Sequence, residues 1–155
     1  MFEMNNTIKI LYATDLHGSL TGYDRLVMLA KKLLPNIVIN GGDMYPKFGS
    51  EDLISLQAYF VLHKLKEHFS ELQSLGVLYL FQPGNDDLAS LDPLVNKISK
   101  QFTMVKHVAG KKISALGYDF IGMNLVDDYP FRLKDRCRLD ASKSRLPLQF
   151  GSALL

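Results

Sequence analysis

Residues Thr7-Ile8-Lys9-Ile10-Leu11-Tyr12-Ala13, followed at once by Thr14-Asp15-Leu16-His17-Gly18, decide how the chain is read. The first seven are rich in Ile, Leu and Tyr and end in polar loop residues, so they predict a buried strand. The next five place a carboxylate and an imidazole two positions apart just beyond that strand. In extended chain both side chains would point to the same side.

Two later stretches repeat this arrangement. Ile37-Val38-Ile39-Asn40 predicts a short strand that runs into Gly41-Gly42-Asp43. Val77 to Gln82 predicts a third strand that runs through Pro83 into Gly84-Asn85-Asp86-Asp87. Between the strands the spacing becomes helical. Tyr23, Leu26, Val27, Ala30, Leu33 and Leu34 predict a helix over 21–34, stopped by Pro35. Leu53, Leu56, Phe60, Leu65, Phe69 and Leu72 predict a long helix over 51–75. Ser50 is its expected N-cap, Glu51 and Asp52 fall in the first turn, and Gly76 stands at the end. Asp92-Pro93 predicts a capped helix to about 101. Residues 103–107, 111–116 and 118–125 then predict consecutive strands, and the chain beyond Asp127 reads as basic loop. Strands alternating with helices imply parallel pairing, with ligands at the carboxyl ends of the strands.

Composition sets the frame. The chain has 155 residues, 47% hydrophobic and 22% charged, with a net charge of +2. That suits a single domain over 1–155 with a real core. One cysteine excludes a disulfide framework or a Cys-rich zinc module and favours a reducing, cytoplasmic setting. The longest apolar runs, Leu26 to Ala30 and Val77 to Phe81, are far short of the ~20 residues a spanning helix needs. The opening residues carry no basic or apolar leader pattern, so neither a secretory signal nor a membrane partner is expected. Near-neutral charge argues against a dedicated nucleic-acid coat protein, without excluding nucleic acid as a partner.

The strand-end residues share one chemistry. Asp15, His17 and Asp43 offer carboxylates and imidazole, Asp43 has two oxygens with which to bridge two cations, and Asn85 offers an amide oxygen. Such donors suit Mn, Fe, Zn or Mg. Taken singly, each is an ordinary turn or cap residue. Together they occur in order, each directly after a predicted strand.

That order, Asp-x-His, Gly-(Gly)-Asp and Gly-Asn-x-Asp over roughly residues 7–125, resembles the calcineurin-like metallophosphoesterases. The stretch Gly117-Tyr118-Asp119-Phe120-Ile121-Gly122 is also similar to that family. The resemblance implies an α/β fold, a β-sandwich flanked by helices, with two divalent metals, Mn2+ first among the candidates. Asp15 and His17 would bind the first metal, Asp43 would bridge both, and Asn85 would bind the second. It further implies a phosphatase or phosphodiesterase. A metal-bound hydroxide would attack the phosphorus of a phosphorylated small molecule or a phosphodiester, with no protein nucleophile.

The sequence departs from the family pattern at three places. Asp86 stands where the family has a histidine; it reads as a general acid, a further ligand or a turn residue. Pro46 stands where the family has a second carboxylate, and Lys47 beside it reads either as a substrate contact or as a solvated lysine. The later family histidines have no counterpart. His63 and His68 lie five apart on the long helix, both expected to be partly exposed, and His107 is expected to precede a strand. The sandwich is therefore expected to be incomplete at its C-terminus, and the apolar end Gly151 to Leu155 reads as a chain cut mid-domain. The alternative function is a non-catalytic domain that self-associates as a homo-oligomer or pairs with a separate C-terminal half. Residues 131–145 carry six basic against two acidic side chains, a solvated segment or a basic rim for phosphorylated substrates.

Overall fold

A computed structural model describes residues 7–47, 52–127, 133 and 135–138. Four short strands form one parallel sheet in the order β1-β2-β3-β4: β1 (Ile10–Ala13), β2 (Ile37–Asn40), β3 (Leu78–Phe81) and β4 (Val105–His107). Helices α1 (Leu20–Leu33), α2 (Leu53–Phe60), α3 (Lys66–Ser74) and α4 (Asp92–Ser99) fill the crossovers. A hairpin of β5 (Lys112–Ala115) and β6 (Tyr118–Ile121) follows, and then the two-residue parallel pair β7 (Val126–Asp127) and β8 (Cys137–Arg138).

Strand alternation divides the sheet into two faces. Val38, Tyr79, Phe81 and Val105 point to the helices, where they bury against Tyr23, Leu26, Val27, Phe69, Leu72, Val95 and Ile98. Ile37 and Leu80 point the other way and bury with Val108 against Ile113 and Phe120 of the hairpin. Each fully buried side chain of this kind contributes roughly 1.5–3 kcal/mol, so the helix face carries most of the stability. The fold is thus α/β, with helices on one face of a four-stranded parallel sheet and a small antiparallel hairpin on the other.

Several sequence expectations need correction. The first strand is shorter than 7–13, and it is an edge strand rather than a buried one. The hairpin covers β2 and β3 but leaves Tyr12 61% exposed. The long helix is not continuous, because residues Val61–Leu65 form a π-helical segment between α2 and α3. An apolar stripe cannot reveal such an insertion, since Val61 and Leu65 are themselves buried. Asp52 caps α2 by accepting from the Ser55 amide at 3.0 Å, while Ser50 and Glu51 lie outside the described residues.

Asp92 does not cap α4. It lies inside the helix, and the N-cap position is Leu91. His68, expected to be partly exposed, is 3% exposed and stacks edge-on against Tyr23 and Tyr79; His63 is exposed. His107 ends β4 and precedes β5, as expected, and is buried on Phe81 with Nδ1 2.7 Å from the Asn96 Oδ1. Of the basic segment 131–145, Leu133, Asp135, Arg136 and Cys137 are buried, so this part is neither solvated loop nor open basic rim. The rest of that segment and the end Gly151 to Leu155 lie outside the described residues, apart from the backbone of Arg138 in β8. Among the described residues no helix is long and apolar enough to cross a membrane.

Candidate metal centre

The loops after β1, β2 and β3 meet at the carboxyl edge of the sheet. The first two are laced together by their backbones. The Asp15, His17 and Gly18 amides donate to the carbonyls of Gly42, Asp43 and Met44 at 3.0, 2.8 and 2.9 Å. The second and third loops touch through glycines. Gly42 has φ +131°, and a Cβ there would lie 2.8 Å from the Gly84 Cα. A Cβ on Gly84 would in turn collide with the Asp43 amide and carboxylate. Only residues without side chains let these loops close.

This lacing brings Asp15, His17 and Asp43 into one group, with one donor atom from each lying within 4.8 Å of the others. Among the described residues it is the one such group of His, Cys, Asp and Glu that could hold a single cation. The convergence does not come from extended chain. Asp15, His17 and Asp43 have φ of 58°, 45° and 52°, so all three sit in the left-handed region. For non-glycine residues that region costs about 1–2 kcal/mol each and clusters at functional sites. The two-residue spacing of Asp15 and His17 works through a turn.

The electrostatics match a cation site. The His17 Nδ1 is buried with no hydrogen-bond partner. Its ring nitrogens stand 3.8 Å from Asp15 and 3.9 Å from Asp86, outside hydrogen-bond distance. Burial pushes the Asp43 carboxyl up; the Asp86 amide, donating to Asp43 Oδ1 at 2.9 Å, pulls it back, and the charges of Asp86 and Asp15 push it up again. An orphaned imidazole nitrogen beside crowded carboxylates is a donor set that a divalent cation would satisfy.

The remaining predicted site residues fall around this group. The side-chain amide of Asn85 donates to Asp86 Oδ1 at 3.3 Å. Asp86 accepts from Lys47 Nζ at 2.9 Å, so Lys47 is an ion-pair partner and not a solvated lysine. Pro46 packs against Gly18, and its carbonyl accepts from the Gln57 side chain.

Sequence reasoning missed the residues that hold the loops from within. Asp87 is fully buried and accepts from the amides of Met44, Tyr45 and Gly84 at 2.9, 2.7 and 2.7 Å. Burial raises its carboxyl to about 7 against the pull of those three bonds. Gln57, buried on α2, donates to the carbonyls of Pro46 and Asp86 and accepts from the Leu88 amide. Arg136 pairs bidentately with Asp92 and donates through Nε to the Gly84 and Asp87 carbonyls. One signal was available: Gln57 lies one position from Leu56 and three from Phe60, where a polar residue beside the apolar stripe asks for a partner.

No family model and no curated protein matches the chain. Solved structures do. TT1561 of Thermus thermophilus superposes with a TM-score of 0.57 at 16% identity, over 84% of this chain and 55% of its own. A second solved structure gives the same TM-score and identity over 74% of this chain and 52% of that one. The chain thus spans about half the length of these proteins, and at this identity what it shares with them is the fold.

Proposed function

We propose that the carboxyl edge is the metal centre of a phosphoesterase of the calcineurin-like kind, hydrolysing a phosphomonoester or a phosphodiester. One observation carries the reading: Asp15, His17 and Asp43 come from loops after two different strands, and each adopts a left-handed backbone to meet the others. Asp15, His17 and Asp43 would hold a first divalent cation, and Asp43 and Asn85 would serve a second. Such cations would supply Lewis-acid activation of a phosphoryl oxygen and a water nucleophile near neutral pH. Mn2+ is the first choice; Fe, Zn and Mg suit the same donors.

The chain's own residues orient and balance charge. The Asp86 amide fixes the Asp43 carboxylate through Oδ1. Lys47 offsets the negative charge of Asp86, which would otherwise repel a phosphate. Asp86 faces His17 at 3.9 Å, where the family pattern has a histidine, and its carboxylate is held by Lys47. Lys47 stands beside it as a cation for the substrate's phosphate.

The test is a titration of the metal-free protein with Mn2+, followed by assays on 4-nitrophenyl phosphate and bis(4-nitrophenyl) phosphate. We expect Mn2+-dependent turnover that Asp43→Asn abolishes. Lack of binding below millimolar Mn2+, with no turnover under Mn, Fe, Zn or Mg, would overturn the reading.

A second reading has its own observation. On the hairpin side Ile121 and Met123 are 75% and 76% exposed beside a groove of about 300 Å³ lined by Tyr12, Ile39 and Phe120. Such a face suits a non-catalytic domain that self-associates or pairs with another chain. Concentration-dependent sedimentation that Ile121→Lys suppresses, in protein that binds no metal, would favour it.

A further inference from the structure

The guanidinium of Arg136 grips the third loop on both sides of two residues. Its Nε donates to the Gly84 carbonyl at 2.9 Å and to the Asp87 carbonyl at 3.2 Å. Between those carbonyls lie Asn85, the candidate ligand, and Asp86, whose amide holds Asp43 and whose carboxylate meets Lys47. The far edge of the guanidinium is fixed in turn, with Nη1 and Nη2 on the two oxygens of Asp92 at 3.0 and 2.7 Å. Arg136 is 3% exposed, so these bonds are not diluted by solvent.

The residue arrives from outside the sheet. Asp135 accepts from the Ala89 amide at 3.0 Å, and the Arg136 carbonyl accepts from the Val126 amide at 3.0 Å. The segment is therefore anchored on both sides of the arginine. A planar fork suits this double task, because one edge can match a carboxylate while Nε reaches backbone oxygens. A lysine carries the same charge but cannot bridge both.

We propose that Arg136 is a positioning residue of the metal centre: by clamping the Gly84 and Asp87 carbonyls it sets Asn85 and the Asp86 amide against Asp43, and so sets affinity for the second cation. This rests on the metal reading above. A merely structural ion pair would change stability and leave metal affinity alone in folded protein.

Two measurements on the full chain separate these roles. In metal-free protein, Arg136→Lys should speed hydrogen exchange of the Asp86 amide at least tenfold relative to the Ala30 amide in α1. In a Mn2+ titration, it should weaken the second binding event at least tenfold and leave the first within twofold. If Arg136→Lys does not fold, Asp92→Asn, which loosens the fork from its far side, carries the same comparison. Unchanged exchange at Asp86 together with unchanged binding of both cations would overturn the proposal. Should the unaltered protein bind no Mn2+, the metal reading fails and the link to affinity with it; the exchange experiment still decides whether Arg136 holds the loop.

Discussion

The three loops at the carboxyl edge have an outer and an inner side, built on opposite terms. On the outer side Asp15, His17 and Asp43 hold left-handed backbones, crowd like charges and leave an imidazole nitrogen without a partner. On the inner side Asp87 takes three backbone amides, Gln57 joins two loops, and Arg136 meets Asp92 with two parallel bonds. Asp86 and Asp87 are adjacent in sequence and fall on opposite sides. Strain is concentrated where a ligand would bind, and satisfied hydrogen bonds are concentrated just beneath it. A fold that holds unfavourable geometry at a site must over-determine that geometry elsewhere.

The sharpest way to break this division is Asp87→Ala. It orphans the buried amides of Met44 and Tyr45 and the part-buried amide of Gly84, each costing ~1–3 kcal/mol, so the unfolding free energy should fall by at least ~3 kcal/mol. Urea denaturation measures this directly. A loss below ~1 kcal/mol would mean that the inner side does not carry the loops.

Asp43→Asn tests the outer side. The substitution keeps an oxygen for the Asp86 amide and removes a charge that Asp15 and Asp86 both oppose. Mn2+ affinity should fall at least ~100-fold, worth about 2.7 kcal/mol. The metal-free protein should gain roughly 0.5 kcal/mol, as strained sites do when relieved of function. Loss of both affinity and stability would place Asp43 with the inner residues instead.

The outer side was readable in the sequence and the inner side mostly was not. Asp15, His17 and Asp43 each follow a strand whose apolar run is local, and neighbouring glycines mark the loops. The parallel order of the strands also follows from local alternation. Arg136 and Asp92 are 44 residues apart, and nothing local joins them, so Asp92 read as a cap and Arg136 as surface charge. Asp87 closes the Gly-Asn-x-Asp stretch but carried no assigned role, because its three partners are backbone amides, which have no residue identity. His68 did carry a signal: it lies three residues from Leu65 and four from Leu72, on their face of the helix.

His68 also supports a test just beneath the inner side. It packs on Tyr23, whose hydroxyl donates to the Met44 carbonyl of the second loop at 3.0 Å. Tyr79 lies against its ring from β3, and Phe60, Asp24, Lys64, Glu67 and Glu71 surround the shallow cleft above it. Burial lowers its pKa to about 3. The unfolded chain therefore binds a proton that the folded one refuses, and stability drops as pH falls from about 6.5 toward 3. At pH 5 this group alone should remove about 2 kcal/mol relative to pH 7. His68→Phe should flatten that acid limb, as followed by urea midpoints at the two pH values. An unchanged limb would show that other groups, and not the packing under the loops, set the acid sensitivity.

The smallest effect isolates the backbone strain itself. Leu34 ends α1 at φ 48° with its amide on the Ala30 carbonyl, and its side chain is 75% exposed. It shares the left-handed conformation of Asp15 and has no ligand to hold. Leu34→Gly removes the steric cost of that conformation and gives back part of it as chain entropy, for a net gain of roughly 0.5–1 kcal/mol. Mn2+ affinity should not change. Asp15→Gly should relieve the same strain and lose the cation. If both variants gain stability and only the second loses metal, the left-handed turn at Leu34 is a helix ending, and the same turn at Asp15 is retained for the donor it carries. If Asp15→Gly gains nothing, the bond from its amide to Gly42 already offsets the strain, and the outer side is less tense than its dihedral angles suggest.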